Sequence, residues 1–358
     1  MSVLNAYVSK TVLASIVMVL VVLVGLNIVA AVLSELSDAT DKYTFWVILQ
    51  VTLLELPNKL YQVIPMASMV GCLVGLGALA NSSELVVMRS AGLSTYRMTW
   101  MAIRPALLVT VVAVLVGEYI APTTDYLASS KKAMARANEQ NLDVSRVVWF
   151  RDGENFIFAD VVHSSGIIYG LNIFDFDKED NLRSIKYAKR ATFSEDHWLL
   201  EEVETTRFMQ EDGQVVQALR TAEDLYRWRS DLKPDLLNIA AVEPQSLPIS
   251  TLWEYSRYLK RQNLNAVEYE LAFWEKVLYP LVMVSLVLVG IAFVFGPLRE
   301  VTMGYRVFTG VIMGGVFSTF QQALGPVSIV FGFSPLIAMA VPALVCVALG
   351  GILLARVR

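Results

Sequence analysis

Thr11–Leu33 reads TVLASIVMVLVVLVGLNIVAAVL and carries no ionisable side chain from end to end. About 20 mostly apolar residues suffice to cross a bilayer as a helix, so this stretch puts the chain in a membrane. It is too long for the apolar core of a cleaved signal and lacks a small-residue cleavage site. Five further runs pass the same length test: about Gln62–Ala80, Met98–Ala121 (with Arg104 near one end), Leu271–Phe295, Val301–Gln322 and Ser334–Ala355. Thr44–Pro57, TFWVILQVTLLELP, is apolar but short. Pro57 and Pro65 are expected to separate it from the second span, which favours an interfacial helix.

Working outward, the 358 residues are 55% hydrophobic and 17% charged, and the mean hydropathy is +0.53. Soluble proteins carry about 25% charge. Residues 123–272 hold 25 acidic and 18 basic side chains, and the flanks hold 8 and 11. A polar domain is therefore inserted between apolar flanks with a slight basic bias. Lys10, Arg89, Arg97, Arg104, Arg299, Arg306, Arg356 and Arg358 fall on one side of the spans. Opposite them, the short loops hold only Lys42 and Lys59 in 34–61 and no charge in 323–333. By the bias of basic residues toward the cytoplasm, both termini are expected inside and the inserted domain outside, in the periplasm of a bacterium.

From about Val147 to Arg229 the pattern alternates in short pieces rich in Val, Ile, Phe, Tyr and Trp, which reads as strands. VVWFRDGENFIFADVV predicts a hairpin turning at Asp152-Gly153, and TTRFMQEDGQVVQAL another at Asp212-Gly213, since Asp-Gly suits tight hairpin turns. GIIYGLNIFDFD and HWLLEEVET supply further strands. Strands without interleaved helices suggest an all-β sandwich or jelly roll. A helix is expected at about Ile249–Gln262.

Several chemistries are excluded. Cys72 and Cys346 both lie in apolar runs, so the inserted domain has no disulfide framework or cysteine zinc site. His163 and His197 each lack a neighbour at ligand spacing and read as surface or turn residues. No nucleophile-elbow or metalloprotease motif occurs. No Gly-Lys pair occurs anywhere, so the chain has no nucleotide-binding P-loop. Gly75–Ala80, GLGALA, loosely fits a dinucleotide fingerprint but follows an apolar span. It and Gly310-x-x-x-Gly314 read as small residues for close helix packing. Arg104, Glu118, Glu275 and Lys276 lie near span ends and read as interfacial anchors. So few ionisable groups in the spans count against an ion-driven transporter.

Between the second and third spans stands NSSELVVMRSAG, Asn81–Gly92. With Leu85 at zero on a helical wheel, Glu84, Val87, Met88 and Ala91 fall at roughly 200–300°. Arg89 and Ser90 lie on the other side, and Val86 fits neither group. Gly92 suits the left-handed residue that ends a helix. Either Asn81 caps the helix with Glu84 folded back onto it, or an apolar patch bearing one acid docks into a partner. The two are compatible.

SELVVMRSAG after the second span, GEYIAP closing the third, an outer β domain and FGPLREVTMGYRV entering the fifth span together resemble the LptF/LptG permeases. These are the membrane subunits of the ABC transporter that extracts lipopolysaccharide from the inner membrane of Gram-negative bacteria. SELVVM with FGPLR is more similar to the LptG branch than to the LptF branch. The resemblance implies six transmembrane helices with a periplasmic β-jellyroll-like domain inserted between helices 3 and 4. The implied layout is helices 1–3 in residues 1–122, the β domain and connecting helix in 123–262, and helices 4–6 in 263–358. It further implies a coupling helix at 82–92 whose acid, here Glu84, meets an LptB-like ATPase dimer. Leu85, Val87, Met88 and Ala91 would share that interface. An LptF-like permease would pair with this chain, the first and fifth spans forming lateral gates. LptC, a single-helix protein, and periplasmic LptA would complete the bridge. ATP and magnesium would be bound by the ATPase, with no cofactor in this chain and no nucleic acid. Lys132 matches a basic family position for lipid phosphates, with Lys131 and Arg136 beside it; Lys59 and Lys42 lie at similar depth. The basic site expected late in the first span is occupied by NIVAAVL. The alternatives are a membrane-anchored periplasmic scaffold that moves nothing and, less favoured, an ion-coupled transporter.

Overall fold

The computed structural model describes residues 2–356 except 38, 40–42, 137–147, 153–154, 163–166, 178–180, 195–196, 212–213, 231–238, 240–241, 263 and 297–300. Packing divides the chain into two compact units. One comprises Met1–Ser129, Pro248–Leu252 and Val267–Arg358, and the other Ser130–Leu247 and Trp253–Ala266.

Among the described residues, six helices of the first unit have membrane length. They are α1 (Ser2–Leu36), α3 (Leu56–Asn81), α5 (Thr95–Leu115), α8 (Val267–Phe295), α9 (Met303–Phe331) and α10 (Pro335–Arg356). All six expected spans are present and most run longer than their apolar cores. Residues 323–331, expected in a loop, continue α9 until Gly332 adopts φ +68° and ends it. The short α2 (Phe45–Leu54) is separated from α3 at Glu55. The break involves Pro57 near the start of α3, where a missing N–H costs nothing. Pro65, expected to break the segment too, lies within α3 without interrupting it.

The most apolar stretches of α3 and α8 are 67% and 61% buried, against 6% for α1 and 11% for α9. So α3 and α8 form the centre, and α1 and α9 lie outside. Small residues bring them together. A Cβ on Gly71 would fall 2.5 Å from the Ile16 backbone, and one on Gly75 would fall 3.0 Å from that of Val12. A Cβ on Gly310 would meet Leu73 at 2.5 Å, and one on Gly314 would meet Met66 at 2.8 Å. Both small-residue motifs therefore serve close packing within this chain, Gly75 against α1 and Gly310 and Gly314 against α3.

After α5 the helix passes through a π turn, Val116–Ile120, into α6 (Ala121–Arg136). The third span thus does not stop at Ala121. The second unit holds β1 (Val148–Asp152), β2 (Asn155–Val162), β3 (Ile167–Phe176), β4 (Leu182–Ser194), β5 (His197–Glu211) and β6 (Gln214–Trp228). They form one antiparallel sheet in the order β1-β2-β3-β4-β5-β6. Asp152 pairs with Asn155 and Glu211 with Gln214, so both expected hairpins are present; Asp152, expected in the first turn, closes β1, and residues 153–154 and 212–213 lie outside the described residues. The all-β class holds. The expected β domain is present, and among the described residues each of its six strands pairs with its neighbours in sequence.

The sheet has a crease. Gly170 and Glu202 adopt φ of +65° and +50°, and Lys189, between them in register, binds Glu202 at 2.9 Å. Ile168 is buried before the crease on β3, and Leu171 and Ile173 after it. The same change of phase runs from Leu200 to Val203 on β5. Apolar residues thus stay on one side around Trp198 although strict alternation is broken. Helix α7 (Ile249–Arg261) follows the sheet in sequence.

Candidate functional site

The stretch between α3 and α5 forms α4 (Glu84–Ser90), a helix bounded by two left-handed residues. Ser83 turns the chain at φ +60°, and Gly92 at φ +85° closes it. The Gly92 N–H reaches the Arg89 carbonyl and the Leu93 N–H the Met88 carbonyl, the paired bonds of a glycine C-cap. The expected role of Gly92 is met. The Asn81 cap is not: Asn81 ends α3, and its side-chain oxygen accepts from Arg306 at 3.1 Å. Glu84 instead accepts from the Ser82 hydroxyl at 2.8 Å, with the Tyr7 side chain of α1 nearby.

Leu85 and Met88 are 5% exposed, packed in the core that also holds Val8, Leu79 and Met98. They anchor α4 to its own chain, which leaves little of either for a partner. The outward face carries Val87 (64% exposed), Val86 (52%) and exposed Ala91. Val86, which the wheel left unassigned, thus belongs to the face. Glu84 is half-buried at its edge, and among the described residues no Lys or Arg lies within ion-pair distance of it. The helix therefore presents two valines, an alanine and a carboxylate bonded by the Ser82 hydroxyl.

Beside it, a groove of about 270 Å³ is lined by Leu4, Asn5, Tyr96, Arg97, Trp100 and Arg104. The Arg104 guanidinium stands 5.9 Å from the Trp100 ring. At the root of α4, the Arg306 guanidinium donates to the Gly77 carbonyl at 2.7 Å as well as to Asn81.

The expected lipid-facing lysines are scattered. Lys59 is held by Glu55 at 2.7 Å within the first unit. Lys131 is exposed and Lys132 half-buried on α6, in the second unit. Arg136 closes α6, but its side chain, like all of Lys42, lies outside the described residues.

Sequence reasoning missed a buried polar joint at the far end of the first unit. Lys276 is 8% exposed and donates to the Gly117 carbonyl of the π turn at 3.2 Å. Both Glu118 oxygens accept from the Ile249 N–H, at 3.0 and 3.1 Å, capping α7. Asn58 donates to Asp125. The Tyr61 and Tyr279 rings stack with centroids 4.1 Å apart, and the Tyr279 hydroxyl donates to the Tyr61 carbonyl at 2.8 Å. Glu118 and Lys276 are internal joints rather than interfacial anchors. Their partners lie up to 159 positions away in sequence, beyond the reach of any local pattern.

Six membrane-length helices, three before and three after an antiparallel β domain in sequence, define a multi-pass membrane protein with a β insert. The family model for "Lipopolysaccharide export system permease LptF/LptG" matches residues 6–356, and the chain belongs to that family. It is 32% identical to the lipopolysaccharide export system permease protein LptG of Escherichia coli K12, over 95% of this chain and 94% of that protein. It is 31% identical to the protein of the same name from Haemophilus influenzae, over 99% of both.

Proposed function

We propose that this chain works in the inner membrane as one of two permease subunits of a lipopolysaccharide exporter. A separate ATPase, docking on α4 from the cytoplasm, supplies the energy. Family membership supports the substrate. The carrying observation for the docking site is α4 itself: Leu85 and Met88 lock one face inward while Glu84, Val86, Val87 and Ala91 stay available. A carboxylate with no cation within ion-pair distance among the described residues suits an Arg or Lys of the ATPase, and that partner would also hold ATP and magnesium. In this reading both termini are cytoplasmic and the β domain is periplasmic. An LptF-like permease completes the gates, and LptC and LptA continue the route.

An external energy source is needed because apolar chains resist leaving the bilayer. Each CH₂ exposed to water costs about 0.8 kcal/mol, so an acyl chain of about twelve carbons costs on the order of 10 kcal/mol. The sheet's one-sided apolar core around Trp198 suits a shielding role. Lys131 and Lys132 are the cations of choice for lipid phosphates.

The experiment is ATP-dependent lipopolysaccharide release from proteoliposomes containing the whole complex. Glu84→Ala is expected to insert normally and to lose the ATPase or its coupling. Normal release by that variant rejects the docking site. A scaffold that moves nothing would release no lipid even with the native chain. Reversing Lys131 and Lys132 to Glu is expected to weaken lipid crosslinking, by about 1 kcal/mol per cation removed from an anionic surface. Unchanged crosslinking removes them from the lipid path.

A further inference from the structure

We infer that Arg306 is a positioning residue that ties the root of α4 to the outer helix α9, so that displacement of one moves the other. Arg306 lies in the first turns of α9 and is 1% exposed, among the largest fully buried side chains of the described residues. Burying a guanidinium is costly unless its donors are met. Here one nitrogen donates to both the Gly77 carbonyl and the Asn81 side chain. Both acceptors sit in the last turn of α3, where the helix dipole favours a cation, and only Ser82 and Ser83 separate that turn from α4.

Gly77 provides the space. A Cβ there would stand 2.9 Å from the guanidinium nitrogen and 3.1 Å from Cδ of Arg306. The second glycine of GLGALA is thus a notch for an arginine, whereas the first, Gly75, packs on α1. The rest of the α3–α9 contact looks different. Gly310 against Leu73 and Gly314 against Met66 are apolar contacts without direction, along which helices can slide. With 11% of its apolar stretch buried, α9 is, after α1, the least enclosed of the six long helices. The Arg306 bonds are directional and placed beside the proposed docking helix, so they are where a push on α4 passes into α9.

The tie rests on the docking role proposed for α4, and its test keeps the two apart. Lipid release and ATP hydrolysis are measured on the same proteoliposomes holding the complete complex. For Arg306→Gln the lipid released per ATP is expected to fall by about fivefold or more, the scale of ordinary inter-site coupling, with the ATPase still bound and hydrolysing. Arg306→Lys, which keeps a cation near the Gly77 carbonyl, is expected to recover part of that ratio. Gly77→Ala leaves every charge in place, crowds the guanidinium and is expected to lower the ratio too. If Arg306→Gln does not assemble, Gly77→Ala and Asn81→Ala decide the matter. Normal lipid per ATP in both, or in Arg306→Gln itself, overturns the tie. Glu84→Ala runs alongside. If it exports normally, the docking reading fails; if it uncouples while the Arg306, Gly77 and Asn81 variants do not, only the tie fails.

Discussion

At the Asn81 end of α3, Glu84 lies half-buried at the surface and accepts from the Ser82 hydroxyl, with no cation within ion-pair distance among the described residues. At the Leu56 end, Glu118, Asp125 and Lys276 are turned inward and bonded to backbone or to Asn58. One end keeps a charge available and the other consumes its charges in joining helices. Charge near a membrane span is therefore not one kind of signal. Whether its partners lie within the chain separates an internal joint from a face that waits for another protein.

The contrast can be broken from either side. Lys276→Met should have the largest effect, because it removes a buried ammonium that donates to the Gly117 carbonyl and has Glu118, Glu275 and Asp125 in its neighbourhood. Removing one member of a buried ion pair typically costs about 3–5 kcal/mol, and a thermal melt of the purified complex reads it. Leu85→Ala comes next, at about 3 kcal/mol for a buried leucine, visible in the same melt. Val86→Ala on the outward face should stay within about 0.5 kcal/mol, so equal losses at both positions would refute the assignment of faces. Glu84→Ala should leave the melt nearly unchanged while weakening ATPase association by about 2 kcal/mol, measured by co-purification across ATPase concentration. Gly92→Ala should cost about 1 kcal/mol, because an alanine at φ +85° is strained; nothing lies within 4 Å of its added Cβ to contribute a clash.

The six spans and both hairpins were readable because each is a local pattern longer than its noise. The end of α4 was readable from Gly92 alone. Its facing was not. A wheel gives relative angles, and the absolute phase depends on Val8, Leu79 and Met98 packing on Leu85 and Met88. The capping box failed for a related reason: α3 absorbs Asn81, and Arg306 takes its side chain from 225 positions away. The strand order was not readable, because alternation reveals strands but not which of them pair. The crease at Gly170 and Glu202 hides the alternation itself.

The π turn at Val116–Ile120 has a geometric consequence for anyone engineering this chain. A π turn amounts to one residue inserted into an α-helix, and one residue is about 100° of rotation. The wider turn takes up that rotation, so the segment beyond it faces as it would on an unbroken helix. Deleting a single residue there would leave Asp125 aimed as it is now, but would close the wide turn whose Gly117 carbonyl accepts from Lys276. A one-codon deletion would thus cost the buried joint an acceptor without re-aiming the side chains that follow.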